Sequence, residues 1–292
     1  MTRLRADLLL LLVAIVWGSA FAAQRVAALN NAVFLFNGLR FLLGVLILLP
    51  FTRVRWGFSR KDWAAVGLTG LILFVASALQ QAGIQFTTAG NAGFITSLYV
   101  VMVPLILAAG WKEKPHPVAL VAVAVAALGG FLLSTGGQFI FQLGDMLVLA
   151  CAFFFALHVI VIGKLGARID SLRFASGQFM VAGVLSLLTG LFIEHPAPES
   201  WPAIWGGVLF TGVFSVGIGY TLQVVAQKHT PPTDAAIIVS LESVFAVIGG
   251  WLYLGETLLP IQILGCVLIL AAVIMAQAKD FTWGSGNPPA VF

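Results

Sequence analysis

The sequence predicts an all-α integral membrane protein with ten transmembrane helices, arranged as two inverted five-helix repeats. Of its 292 residues, 60% are apolar and only 9% are charged, whereas soluble domains carry about 25% charged residues. The apolar residues form long runs, not the alternating pattern of barrel strands, and the two halves of the chain resemble each other. This composition excludes soluble enzymes, secreted disulfide scaffolds and nucleic-acid-binding proteins.

Long apolar runs separated by short polar segments define the predicted spans. A bilayer core about 30 Å thick requires about 20 mostly apolar residues per spanning helix. Arg3 and Arg5 before a Leu-rich run also resemble the start of a cleavable signal peptide, whose removal would leave nine spans. The predicted spans are 7–27, 32–51, 62–83, 91–110, 117–134, 145–163, 172–193, 202–226, 233–253 and 258–278.

The distribution of basic residues predicts the orientation of the chain. Thirteen of the 15 Lys and Arg residues fall at the termini or in alternate loops, and none falls in the loops on the other side. Cytoplasmic loops are enriched in Lys and Arg. We therefore expect both termini to be cytoplasmic.

Weak similarity between the two halves predicts an internal repeat. At an offset of 143 residues, 78–92 aligns with 221–235, and at an offset of 138, Asp7 aligns with Asp145. We call positions aligned at these offsets repeat-equivalent. Because five is an odd number of helices, the second repeat enters the membrane from the opposite side and is inverted. Many secondary transporters have such inverted repeats, with a binding site near the membrane midplane. The alternative is a duplication in another kind of membrane protein. The predicted units are repeats 1–140 and 141–280 and a C-terminal tail, 281–292.

The polar residues predicted deep in the membrane indicate a functional site, because ionisable groups there are energetically costly. Glu242 is the only acid near the middle of a span, and Arg40 is the only base there. They can bind the two ends of a zwitterion, pair with each other, or serve only to hold the fold. Tyr99 is repeat-equivalent to Glu242, and Trp17 lies about 15 Å into its span, too deep for an interfacial anchor.

Other polar side chains at similar depth complete the predicted site. Phe155 and Phe179 can provide additional apolar surface. The glutamines at helix ends suit either water-filled vestibules or hydrogen bonds between helices; they are Gln24, Gln80, Gln81, Gln85 and Gln223. The candidate substrate-binding residues are Trp17, Arg40, Tyr99, His158, Gln178, Ser240 and Glu242.

We expect no cofactor, no metal site and no catalytic residues. His158 is the only histidine predicted inside a span, and the two cysteines lie in separate apolar runs. An intramembrane enzyme is the alternative class, but the chain lacks a pair of mid-span Asp residues, and no G-x-S-x-G motif surrounds a candidate nucleophile. The absence of G-x-x-x-x-G-K-[ST] excludes ATP-driven transport by this chain alone.

Several stretches resemble a known family of transporters. LLLLLVAIVWGSAFAAQ and NGLRFLLG are similar to the first and second helices of the EamA-type drug/metabolite transporters, and TTAGNAGFITSLYVVMVP is similar to their fourth. The most specific stretch, TPPTDAAIIVSLESVFAVIGGWLYLGETL, resembles their ninth helix, although Ser243 stands where the family often has a proline that would kink the helix. The resemblance covers residues 7–278.

The resemblance implies a ten-helix inner-membrane carrier of metabolites, most similar to the YddG-type aromatic amino-acid exporters. With the deep acid, base and tryptophan, it implies export of amino acids that have large apolar side chains, by alternating access. A multidrug carrier and a carrier of sugars or nucleosides are the alternatives. The expected partners are a small-molecule substrate and the lipid bilayer, without nucleic acid. The nearly apolar fifth and tenth spans are a candidate homodimer face.

Overall fold

The computed structural model describes residues 1–52, 58–135, 143–254 and 259–282. These parts of the chain contain helices and no strand. Seven of their helical segments are long and apolar enough to cross a membrane, which confirms the predicted all-α membrane class. Most of the predicted C-terminal tail, from residue 283 onward, lies outside the described residues, as do Arg53 and Arg55 of the basic loops.

The described residues form thirteen α-helices, and most correspond to one predicted span each. Three predicted spans depart from this simple pattern: the fourth and ninth are each two helices, and the eighth contains a π-helical segment. The helices are α1 (Arg3–Leu29), α2 (Phe34–Leu48), α3 (Arg60–Ile84), α4 (Ala89–Ser97), α5 (Tyr99–Trp111), α6 (Pro117–Thr135), α7 (Leu143–Leu165), α8 (Ser171–Ile193), α9 (Trp201–Phe210), α10 (Thr221–Ala226), α11 (Pro232–Val239), α12 (Glu242–Leu254) and α13 (Pro260–Thr282).

The fourth and ninth predicted spans are broken near their middles, between α4 and α5 and between α11 and α12. At each break a serine hydroxyl donates to the carbonyl three residues earlier. Ser97 Oγ donates to Phe94 O, and its repeat-equivalent Ser240 Oγ donates to Ile237 O, both at 2.7 Å. These bonds satisfy carbonyls that the interrupted helices leave free. The break before Glu242 therefore forms without a proline.

The eighth predicted span contains ten residues of π-helix, Thr211–Tyr220, between α9 and α10. A π-helical turn is rare and is frequently found at functional sites. One of its glycines, Gly219, allows a close approach, because a Cβ atom there would lie 2.5 Å from Trp17 Nε1. The Trp17 indole in turn donates to Ser215 O at 3.2 Å. Trp17 therefore packs directly against the π-helical segment.

Helices of the two halves of the chain pack on each other. Helix α1 contacts α12 and the π-helical segment, α2 contacts α8, and α3 contacts α7 and α8. Gly18 permits one of the close approaches, since a Cβ atom there would lie 2.5 Å from Glu242 O. Helices α6 and α13 pack mainly against each other, which places them at the periphery. This packing brings α1, α2 and α12, the helices that carry the deep polar residues, into one neighbourhood.

Helix α2, which carries Arg40, is anchored at its start by Glu194. The two carboxylate oxygens of Glu194 accept hydrogen bonds from the backbone N–H groups of Val33, Phe34 and Leu35 at 2.8–2.9 Å. A helix start has unpaired N–H groups and a partial positive charge, so a carboxylate there stabilises it. The end of α8 therefore fixes the position of α2.

Candidate functional site

A narrow cavity lies where the two halves of the chain meet. It is bounded by helices of both halves and by the π-helical segment. Trp17, Arg40, Tyr99 and Glu242, four of the predicted site residues, line it together. The structure therefore brings four of the seven predicted site residues to one place.

Many residues that line the cavity are repeat-equivalent. Eight of them form four pairs, in which one member comes from each half of the chain. Related positions of the two halves thus face the same space, as expected for a site on an axis between two repeats. The pairs are Trp17 and Phe155, Phe21 and Val159, Gln80 and Gln223, and Tyr99 and Glu242.

Arg40 and Glu242 share the cavity, but no ion pair joins them among the contacts of the described residues. Arg40 is 1% exposed, and its Cζ atom lies 5.2 Å and 5.0 Å from the ring centroids of Phe36 and Phe41. Such cation–π contacts partly compensate a buried guanidinium. Arg40 Nε and Nη2 and Glu242 Oε1 have no hydrogen-bond partner. Direct pairing, one of the alternatives that the sequence leaves open, is not formed, and both groups keep unpaired atoms.

Other polar atoms around the cavity are also unpaired. The Tyr99 hydroxyl lies beside the Glu242 carboxylate, with no hydrogen bond of normal geometry. The side-chain oxygens of Gln24 and Gln223 are buried without a partner as well. Buried polar groups in folded proteins are nearly always hydrogen-bonded. A group of unpaired donors and acceptors in one cavity therefore fits a polar ligand.

An aromatic cluster with Tyr220 at its centre lies beside the cavity, and its members Trp17 and Tyr220 line it. The Tyr220 ring centroid lies 4.5 Å from that of Trp17, 6.0 Å from that of Phe41 and 6.1 Å from that of Phe179. The sequence analysis did not identify Tyr220. The only signal available was its occurrence as one of three tyrosines in the chain, and the π-helix that directs it into the cavity could not be predicted.

Three predicted site residues do not line this cavity. His158 Nε2 and Gln178 Oε1 are 2.8 Å apart and join α7 to α8. The His158 ring packs edge-on against Tyr220, at 5.9 Å between centroids. Ser240 bonds the carbonyl at the helix break. These contacts support structural roles for His158, Gln178 and Ser240.

The glutamines divide between the two roles that the sequence left open. Gln24, Gln80 and Gln223 line the cavity. Gln81 Nε2 donates to Gln24 O at 2.7 Å, and Gln85 likewise bonds a carbonyl of α1. The first three are therefore available to a ligand or to water, whereas the last two hold α3 against α1.

Comparison with known proteins identifies the class of this protein. A profile of the EamA-like transporter family matches residues 4–135 and again residues 142–277. The chain therefore belongs to the EamA-like transporter family, within the drug/metabolite transporter superfamily, and is a multi-pass membrane transporter. A family of transporters is consistent with the expectation that the chain is not an enzyme.

Individual relatives cover nearly the whole chain. An uncharacterized transporter of Archaeoglobus fulgidus is 35% identical over 277 residues, which is 95% of this chain and 87% of that protein. The threonine/homoserine exporter RhtA of Escherichia coli is 27% identical over 269 residues, 91% of this chain and 88% of RhtA. A crystal structure with 18% sequence identity aligns with a TM-score of 0.77 over 95% of this chain and 98% of that one, and shows the same fold.

The contact between His158 and Gln178 predicts strong coupling between the two positions. In either Gln178→Leu or His158→Leu, one buried polar side chain loses its partner, at a cost of about 1–3 kcal/mol. The double variant removes both polar groups, so its loss of stability should be clearly smaller than the sum of the two single losses. Thermal unfolding of the three purified variants measures this difference. Losses that add within about 0.5 kcal/mol would contradict the coupling.

Proposed function

We propose that this protein exports amino acids with large apolar side chains across the bacterial inner membrane, as a secondary transporter that works by alternating access. The observation that carries the proposal is the presence of Arg40 and Glu242 in one buried cavity without a mutual ion pair. The cavity thus offers one positive and one negative group, and both have unpaired atoms.

A zwitterion matches these two groups. The planar guanidinium of Arg40 can bind a carboxylate through two parallel hydrogen bonds. Its unpaired atoms, Nε and Nη2, lie on one edge of that plane. Glu242 and the adjacent Tyr99 hydroxyl can accept hydrogen bonds from an ammonium group. An α-amino acid carries both charged groups on its α-carbon, so one molecule can satisfy the acid and the base.

The walls of the cavity suit an apolar side chain. Trp17, Phe21, Phe155, Val159 and Tyr220 supply most of its apolar lining. Aromatic contacts add about 0.5–1.5 kcal/mol beyond area burial, which corresponds to about tenfold in affinity at most. Selection among amino acids should therefore be broad. This lining supports the similarity to YddG-type aromatic exporters, while RhtA, named for threonine and homoserine, makes small polar substrates an outcome to test.

Several observations support two inverted five-helix repeats as the transporting halves. The family profile matches twice, repeat-equivalent residues line the cavity, and the two broken helices are repeat-equivalent. The charge distribution supports cytoplasmic termini for this arrangement. Apolar side chains exposed on α6 and α13, such as Leu128 and Leu264, suit lipid, and the same face is the proposed homodimer contact.

Flux measurements in proteoliposomes test the proposed function. Purified protein should release preloaded phenylalanine, tryptophan and leucine down their gradients, but not glucose. Glu242→Gln and Arg40→Gln should each lower this flux at least about tenfold, which corresponds to about 1.4 kcal/mol of lost recognition. The matched controls are Glu199→Gln and Arg60→Gln, which change the same charges at exposed positions.

The outcomes of this measurement separate the alternatives. Flux of a lipophilic cation or a sugar without amino-acid flux would replace the proposed substrate class. Wild-type flux in both Glu242→Gln and Arg40→Gln would show that these residues only stabilise the fold. Retained monodispersity of each variant during purification excludes misfolding as the cause of a loss.

Replacement of Trp17 should change the preference among substrates. Trp17→Ala removes an aromatic wall, so flux of phenylalanine or tryptophan should fall up to about tenfold more than flux of threonine. The ratio of flux for the two kinds of substrate, measured in the same vesicles, gives the effect independently of the amount of active protein. An equal loss for all substrates would mean that Trp17 only packs between helices.

A further inference from the structure

Two buried hydrogen bonds in this protein are repeat-equivalent to each other. Thr230 Oγ1 donates to Asp7 Oδ1 at 2.7 Å, and Thr87 Oγ1 donates to Asp145 Oδ1 at 2.6 Å. The two Asp residues are related by the offset of 138 and the two Thr residues by the offset of 143. All four are less than 9% exposed. The same bond is therefore built twice, each time between the two halves of the chain.

The two bonds lie at opposite ends of the helix bundle. Asp7 is near the start of α1, whereas Arg25, near the end of α1, donates to the carbonyl of Thr87. Eighteen residues of helix separate Asp7 from Arg25, which is about 27 Å. The cavity residues Trp17 and Phe21 lie between them on α1. One bond thus lies beyond each end of the cavity.

Each bond joins the two halves of the chain in the same manner. The Asp residue belongs to the first helix of one half, and the Thr residue directly precedes the broken helix of the other half. The second parts of these broken helices begin with Tyr99 and Glu242, which line the cavity. A break in the middle of a helix allows its first part to move separately. Loss of one bond would therefore remove one of the contacts that hold the half-helix next to it.

The bond at the end where α1 begins is surrounded by further polar contacts and a second cavity. Arg3 binds Asp7 with Nε and Asp234 with Nη2, at 3.1 Å and 2.7 Å, and so ties α1 to α11. A second cavity, lined in part by Pro231 and Asp234, lies beside these contacts. It provides a space outside the Asp7–Thr230 bond, as an entrance to a closed pathway requires.

We propose that these two bonds are the gates of the transport pathway: Asp7–Thr230 closes the end where α1 begins, and Asp145–Thr87 closes the opposite end. The proposal rests on the proposed function, because gates that open in turn are what alternating access requires. The four residues are positioning residues: they hold the halves together and do not contact the substrate. In this structure both bonds are formed, so both proposed gates are shut, and transport breaks one bond at a time.

The test measures the accessibility of a reporter cysteine in the cavity. Ser215 lines the cavity, so Ser215→Cys places a thiol there with little change in size. The parent chain for this test also carries Cys151→Ala and Cys266→Ala, which remove the natural thiols. A membrane-impermeant maleimide is applied to oriented proteoliposomes from one face or the other, and the labelling rate is recorded without substrate.

The two threonine variants control for each other. Thr230→Val keeps the shape of the side chain and removes the hydroxyl, and it should raise labelling from the face where α1 begins by at least about threefold. Thr87→Val should raise labelling from the opposite face by a similar factor. Thr230→Ser and Thr87→Ser retain the hydroxyl and should label like the parent. If a Val variant does not purify as monodisperse protein, Ala at the same position removes the same hydroxyl.

The outcomes distinguish the gates from the proposed function. Unchanged labelling in both Val or Ala variants, or an increase from the same face in both, would overturn the gates. Labelling needs no substrate, so opposite shifts in a protein without amino-acid flux would overturn only the substrate proposal. Amino-acid flux with unchanged labelling would overturn only the gates.

Discussion

The burial of Arg40 and Glu242 in one cavity without a mutual ion pair is the constraint on which the rest of the structure depends. An ion taken out of water and left unpaired costs several kcal/mol, so the chain must compensate each charge separately. Phe36 and Phe41 provide ring faces for the Arg40 guanidinium. The Glu242 carboxylate lies beside Tyr99, at the start of α12. A direct ion pair would satisfy both charges but would remove the groups that a substrate can bind.

The backbone around the cavity is irregular where the polar groups are. The broken helices place Tyr99 and Glu242 at the first positions of new helices, and the hydroxyls of Ser97 and Ser240 satisfy the carbonyls that each break exposes. The π-helical segment directs Tyr220 toward Trp17. Non-helical backbone at membrane depth is tolerated where it is buried in protein or lines a cavity. The irregular segments therefore belong to the site and are not defects of the fold.

The sequence predicted the membrane class and the central residues, because both follow from hydropathy and from the rarity of charge. Glu242, Arg40 and Trp17 were identified by depth alone, and Tyr99 by its equivalence to Glu242; the structure brings all four to one cavity. The rotation of each helix was harder to predict, since a span that is apolar on all sides has no polar face to orient it. For this reason His158 and Gln178 were assigned to the site, although they bond each other outside it.

The central claim, recognition of a zwitterion by the separate charges of Arg40 and Glu242, is tested most directly with analogues of one substrate. Competition against phenylalanine flux is measured for unlabelled phenylalanine, for phenylalaninamide without the carboxylate, and for 3-phenylpropanoate without the ammonium group. The account predicts that each analogue competes at least about tenfold less well than phenylalanine. It also predicts that phenylalaninamide competes as well as phenylalanine with the Arg40→Gln variant. Likewise, 3-phenylpropanoate should compete as well as phenylalanine with the Glu242→Gln variant. An analogue that competes as well as phenylalanine with the wild-type protein would contradict the account.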